Sequence, residues 1–138
     1  MVDSSVIVTS LLEQEKEHKR AKAFLNLSHS PITYSFLAPI SVVVEVTAAI
    51  ARRTRSNQLA LEVRDNLLGL PFFSFYELTR SRGLTASEIA AQCKVTGMDA
   101  LVIQVASEFQ VPLLTLDQEM ATRARPLVLI KHLQDLVP

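Results

Sequence analysis

The chain has 138 residues, 49% of them hydrophobic, and its fourteen acidic and fourteen basic side chains leave no formal net charge. At that length one domain buries roughly two-thirds of the surface its unfolded chain exposes, so a full core is expected and disorder is excluded. Zero net charge argues against a non-specific polyanion binder, whose affinity rests on phosphate neutralisation, but not against an enzyme that meets nucleic acid at one metal-filled site.

The first element is "VDSSVIV", a short strand running into a helix. Residues 15–27 are charged on one side, with Ala21, Phe24, Leu25 and Leu27 on the other, and predict a surface helix. "ITYSFL" predicts a short strand. In "PISVVVEVTAAIARR", Pro39 suits a first helical turn, while Val42, Val43 and Val44 suit a strand equally well, so periodicity leaves this segment open. "NQLALEVRDNLLGL" is helical, with Ser56 as N-cap, and "PFFSFYEL" is a strand. "TASEIAAQC" opens with Thr85 and Glu88 at capping-box spacing. In "MDALVIQVASEFQ", Leu101, Val102, Val105, Ala106 and Phe109 recur at helical spacing. The apolar run "VPLLTL" then predicts a strand covered on both faces, followed by a short helix at "QEMATRA" and a last strand at "LVLI".

Strands thus alternate with one or two helices, which predicts an α/β domain with a largely parallel sheet and helices on both faces. Three glycines, six prolines and the lack of any linker-like stretch or repeat make residues 1–138 one domain. Cys93 is the only cysteine, so no internal disulfide is possible and a reducing compartment is expected. No leader-like segment and no apolar run of about eighteen residues is present, so the expected location is the cytoplasm, without a membrane partner.

Most of the acids suit solvated helix faces: Glu13, Glu15, Glu17, Glu62, Asp65 and Glu108 are of this kind, and Glu88 reads as a cap partner. Four do not. Asp3 is embedded in an apolar run, Glu45 is flanked by valines, Asp99 precedes a buried helix, and Asp117 closes a buried strand. Each has a plain structural role open to it. Asp99 and Asp117 suit N-caps, Asp3 a turn, and Glu45 a helix edge. Yet ligands of open α/β sheets bind beyond the carboxyl ends of the strands, and Asp3 and Asp117 both fall at that edge.

If the four converge, electrostatics dictates the consequence. Two carboxylates about 5 Å apart repel by about 3 kcal/mol at an effective dielectric near 20. Several such pairs exceed what a marginally stable domain tolerates, so protons or a cation must neutralise them. An all-oxygen donor set favours Mg²⁺ or Mn²⁺. Such an ion acidifies bound water and holds a phosphodiester for in-line attack, which is nuclease chemistry.

"VDSSVIV", "APISVVVEVTAAIARR", "GMDALVIQVAS" and "LLTLDQEM" resemble, in order and over nearly the whole chain, the successive motifs of PIN domains, especially VapC-type toxins of bacteria and archaea. The resemblance implies an α/β/α sandwich around a parallel sheet, a cleft for Mg²⁺ or Mn²⁺, and endoribonuclease activity. It implies that Asp3, Glu45, Asp99 and Asp117 are the catalytic, metal-binding acids, and that the valine-rich segment is a helix carrying Glu45. An RNA substrate, a small antitoxin protein and a homodimer are the partners it implies. Two features depart from the pattern. Only Met1 and Val2 precede Asp3, so either the first strand is short or the true start lies upstream. Glu119, close to Asp117, competes for the fourth metal position.

Further residues carry both a functional and a structural reading. The Thr115 hydroxyl, on the same strand face as Asp117, suits a contact to a carboxylate or substrate, or an idle strand end. Ser4 and Ser5 suit donors to the site or ordinary turn chemistry. Arg52, Arg53 and Arg55 suit RNA phosphates or the favourable end of a helix dipole. Cys93, His18, His29 and His132 form no metal or nucleophile pattern and read as structural.

Three other functions compete. A phosphatase of the haloacid-dehalogenase type would use Asp3 as nucleophile, but Ser5 stands where its second aspartate belongs and the expected late lysine is not evident. A non-catalytic metal-binding scaffold has no need of four converging acids. An RNA-processing nuclease without a toxin role shares every motif above.

Overall fold

The computed structural model describes residues 1–29 and 34–138. Helix α1 (Ser4–Leu11) follows Asp3 directly, and α2 (His18–Asn26) packs Ala21 and Phe24 inward. Strand β1 (Phe36–Pro39) leads straight into α3 (Ile40–Thr54), and α4 (Asn57–Leu68) precedes β2 (Phe73–Tyr76). Then come α5 (Arg80–Cys93), α6 (Gly97–Glu108), β3 (Leu113–Leu114), α7 (Gln118–Ala124), β4 (Ile130–Lys131) and α8 (Leu133–Leu136).

Among the described residues two parallel strand pairs form, β1 with β2 (Phe36 opposite Phe73) and β3 with β4 (Leu113 opposite Ile130). The extended Met1–Asp3 segment joins them. Val2 donates to the Leu37 carbonyl on one side at 3.0 Å, and on the other side Asp3 N donates to the Leu114 carbonyl at 3.0 Å. Leu114 N in turn donates to the Met1 carbonyl at 2.9 Å. The lateral order is therefore β2, β1, residues 1–3, β3, β4, with helices on both faces: an α/β/α sandwich. Its core includes Val2, Val6, Val46, Ile50, Val102, Ile103 and Leu113, all at most 2% exposed.

The valine-rich segment is a helix because its apolar residues fit a helical stripe. Val42, Val43, Val46 and Ile50 are buried, whereas the third valine of the run, Val44, is 61% exposed. The β-branched residues suit a strand locally, but a strand would set Val44 beside Val42 and turn Val43 to the other face. Only a helix buries Val42, Val43, Val46 and Ile50 on one stripe with Val44 outside. Pro39 ends β1 and is the cap residue of α3, one position before the first turn.

Several boundaries differ from those predicted. The strand expected at 32–37 lies further on, at Phe36–Pro39; Ile32 and Thr33 fall outside the described residues. The last strand is Ile130–Lys131, and α8 was not expected. The capping box at Thr85 and Glu88 is absent, since both lie inside α5. That helix begins at Arg80, where the Thr79 hydroxyl accepts from Arg82 N at 3.2 Å. Gly83 lies within the helix; its cost of about 1 kcal/mol relative to alanine is too small to break it. Ser56 does cap α4, accepting from Leu59 N at 3.1 Å. Among the described residues no helix is long and apolar enough to cross a membrane.

Candidate active site

Parallel strands gather loop-borne side chains at one edge, and this sheet does so with acids. Asp3 ends the central extended segment at its carboxyl end. Asp117 lies three residues past β3, where it caps α7 by accepting from Met120 N at 2.9 Å. Helix α6 runs back across the sheet to feed β3, so its first turn, with Asp99, lies at that same edge. Glu45 stands on the second turn of α3, which leaves the carboxyl end of β1.

Asp3 is buried, at 5% exposure, and its Oδ2 accepts three hydrogen bonds. Ser5 Oγ donates at 2.6 Å, Thr115 Oγ1 at 2.8 Å and Ser5 N at 3.3 Å. All three fall on one oxygen, which fixes the orientation of the carboxylate. Thr115 Oγ1 also accepts from Asp117 N at 3.1 Å, and Ser5 Oγ accepts from Leu116 N at 3.0 Å. Two hydroxyls thereby tie the start of the chain to the turn after β3.

Glu45 and Asp99 are half-buried and both hold their protons more tightly than usual. Burial is the chief cause for Glu45, followed by the negative charge of Asp3 and, more weakly, Asp99; a hydrogen bond from the Ser4 hydroxyl opposes it. Burial also leads for Asp99, with the charges of Asp3 and Asp117 adding to it. Hydrogen bonds to Asp99 from the Thr96 hydroxyl and backbone oppose that shift. Thr96 is the N-cap of α6 and accepts from Asp99 N at 3.2 Å, so the two form a reciprocal cap. Asp99 thus sits at the third helical position and not at the cap. Thr96 was missed in the sequence, although "TGMD" carries the capping-box spacing.

The charges of Asp3 and Asp99 thus act on Glu45, and those of Asp3 and Asp117 act on Asp99. Among the described residues, however, no three acidic, cysteine or histidine side chains approach closely enough to enclose a metal ion directly. That spacing suits a cation that keeps much of its water, as Mg²⁺ does when only one or two carboxylates bind it. Like charges in a half-buried, oxygen-only setting are the donor chemistry such an ion neutralises. Glu119 is exposed and drawn into an ion pair with Arg123 at 2.6 Å along α7.

A groove of about 430 Å³ beside the acids is lined by Ser4, Ser5, Glu45, Arg52 and Met98 among others. Arg52 is exposed there. Arg53 is instead paired with Glu15 at 2.7 Å, and Arg55 adopts the left-handed backbone that ends α3. Glu13 and Glu15 lie in the connection before α2, not on a helix face, and Glu108 is paired with Arg82.

The PIN domain family model matches residues 1–126. A search of curated proteins gave no match. Among solved structures, the chain is similar to Mycobacterium tuberculosis VapC20, described as a sarcin–ricin loop cleaving toxin. The TM-score is 0.73 at 16% identity, over 88% of this chain and 92% of that one. It is also similar to FitAcB from Neisseria gonorrhoeae, with TM-score 0.67 and 16% identity over 94% and 95% of the two chains. A FitAB structure bound to an IR36 DNA fragment gives TM-score 0.65 at 16% identity, over 96% and 93%.

Proposed function

This chain belongs to the PIN domain family, and on that premise we propose that it is a metal-dependent endoribonuclease, the toxin of a VapBC-type pair. Residues 1–138 act as one catalytic unit. What carries the reading is the gathering of acids at the carboxyl edge of the sheet, where Asp3 and Asp99 raise Glu45 and Asp3 and Asp117 raise Asp99. Repelling acids are a poor structural device but a good receptor for a cation.

In this reading Asp3, Glu45, Asp99 and Asp117 would together hold a hydrated Mg²⁺ or Mn²⁺, in part through its waters, and the ion when bound would supply an acidified water and charge stabilisation at the scissile phosphate. Ser5 and Thr115 fix the Asp3 carboxylate through Oδ2, which leaves its other oxygen for the ion. Ser4 orients Glu45, and Thr96 orients Asp99. Arg52, on the groove beside Glu45, takes a phosphate of the RNA. The relatives' printed descriptions, a toxin that cleaves the sarcin–ricin loop and a FitAB assembly on DNA, support a toxin role and a protein partner in a DNA-bound complex. We assign that partner to a small antitoxin and place the pair in the cytoplasm.

The test is cleavage of single-stranded RNA with Mg²⁺ or Mn²⁺, abolished by chelator. Asp3→Asn and Asp99→Asn keep shape and remove charge, and each should lower the rate by orders of magnitude. Glu13→Gln, away from the acids, should leave it unchanged. Wild-type cleavage by the two charge-removal variants would refute the reading.

A further inference from the structure

A second cleft, of about 670 Å³, opens beside Thr115 and the turn that carries Asp117. Its lining includes Thr9, Lys16, Thr115, Gln118, His132 and Gln134. Parallel pairing of β3 and β4 sets their carboxyl ends side by side, which brings the turn before α7 against the start of α8. The connection between α1 and α2 closes the third side. Thr115 belongs to both places, since its hydroxyl holds Asp3 while the residue lines this cleft.

We propose that this cleft receives a nucleoside of single-stranded RNA next to the scissile phosphate; the assignment rests on the nuclease reading above. The lining is rich in groups that can both donate and accept, with Leu116 and Leu133 as apolar floor. Gln118 and Gln134 are exposed amides suited to a base edge. His132 is a half-buried ring suited to stacking on an unpaired base. Lys16 is exposed and, among the described residues, enters no ion pair, so its ammonium is open to a backbone phosphate. Glu15 and Glu17 also line the cleft, but each is matched by an arginine, Arg53 at 2.7 Å and Arg20 at 3.1 Å. The groove on the Glu45 side differs in kind, with Val8, Val44, Ala48, Ala49 and Met98 along its walls. A substrate cut in its interior needs contacts to either side of the cut, and this cleft, with Gln118, His132 and Gln134, offers a base more hydrogen-bonding groups than the groove does.

The experiment is equilibrium binding of a fluorescein-labelled single-stranded RNA decamer of mixed sequence, followed by anisotropy with Ca²⁺ in place of Mg²⁺. His132→Ala and the pair Lys16→Ala with Gln134→Ala should each weaken binding about ten-fold, in the range of one lost stacking contact. His132→Phe, which keeps a ring, should retain most of the affinity, and Lys94→Ala should bind as wild type. In Mg²⁺ the same variants should raise KM and leave kcat near its wild-type value. RNA binding that is lost in the cleft variants while wild type fails to cleave would support the cleft and sink the nuclease reading alone. Unchanged affinity in the cleft variants, which would leave the cleft to a protein ligand, overturns the assignment, as does wild-type protein that binds no RNA.

Discussion

Thr115 Oγ1 donates to Asp3 Oδ2 at 2.8 Å across 112 positions of sequence, and the same oxygen accepts from Asp117 N at 3.1 Å. One buried hydroxyl thus holds the first acid and sets the backbone that carries the fourth. Hydrogen bonds to charged groups contribute about 1.5–3 kcal/mol, and Asp3 is too buried for water to replace the donor fully. Thr115→Val keeps the shape and removes that donor. We expect a loss of about 1–3 kcal/mol in unfolding free energy, together with RNA cleavage at least about ten-fold slower, the equivalent of 1.4 kcal/mol in the barrier. Thr115→Ser should restore most of both. Denaturant titration and cleavage rates check this; a valine variant equal to wild type in both would show the link to be idle.

Glu45 and Asp99 have folded-state affinities for the proton above those of the unfolded chain, from burial first and neighbouring charge second. The sign follows from linkage: a raised carboxyl destabilises the fold when ionised, and the fold regains stability as pH falls through the raised value. At pH 7 Glu45→Gln and Asp99→Asn should therefore unfold a few degrees above wild type. The gain should shrink as the pH is lowered to about 4, the ordinary carboxyl range. Added Mg²⁺ should raise the wild-type midpoint more than either variant's. Melting followed by circular dichroism over pH and Mg²⁺ tests all three statements, and variants less stable than wild type at pH 7 would contradict the repulsion.

Arg82 clasps Glu108 through two nitrogens, each at 2.9 Å, and Gln104 donates to the same carboxylate at 2.7 Å. These bonds hold Glu108 down from 4.5 to about 2. Its contribution is complete above 4.5 and is lost as pH falls towards about 2. The pair lies near the surface, so solvent screening keeps its effect small. Glu108→Gln should lower the unfolding temperature slightly at pH 7, and the difference from wild type should close as pH falls from 4.5 to about 2. A difference that is independent of pH would point to packing and not to the charge.

Leu61 and Leu68 stand seven residues apart on one face of α4 and are 45% and 48% exposed. Val44 and Leu59 add further exposed apolar surface on α3 and α4. Association of two copies through these helices is the expected way to cover it. Light scattering at micromolar concentration should give the mass of a dimer, and Leu61→Lys with Leu68→Lys should shift it towards that of one chain. A clean wild-type monomer would count against the dimer.

The sequence by itself determined the α/β class, most of the order of elements, the four acids that stand apart from the solvated ones, and those caps that depend on a few adjacent residues. Ser56 and Asp117 were legible because a cap is a contact over three positions. Periodicity on α6 was right for Val102, Val105 and Ala106 but not for Phe109, which is 37% exposed, and it passed over the buried Ala100 and Ile103. The same short range misled at Thr85 and Glu88, where a good local cap lost to a longer helix begun at Thr79. Three consecutive valines looked as much like a strand as a helix until Val44 was left to solvent and its neighbours to the core. What only the tertiary structure decided depends on distant partners: the hydroxyl of Thr115 on Asp3, the charges raising Glu45 and Asp99, and the cleft that joins Lys16 to His132. Proton affinity follows burial and neighbouring charge, and both are set by which strands lie side by side. No local pattern carries that information, because residues 1–3 acquire β1 and β3 as neighbours only when the sheet closes.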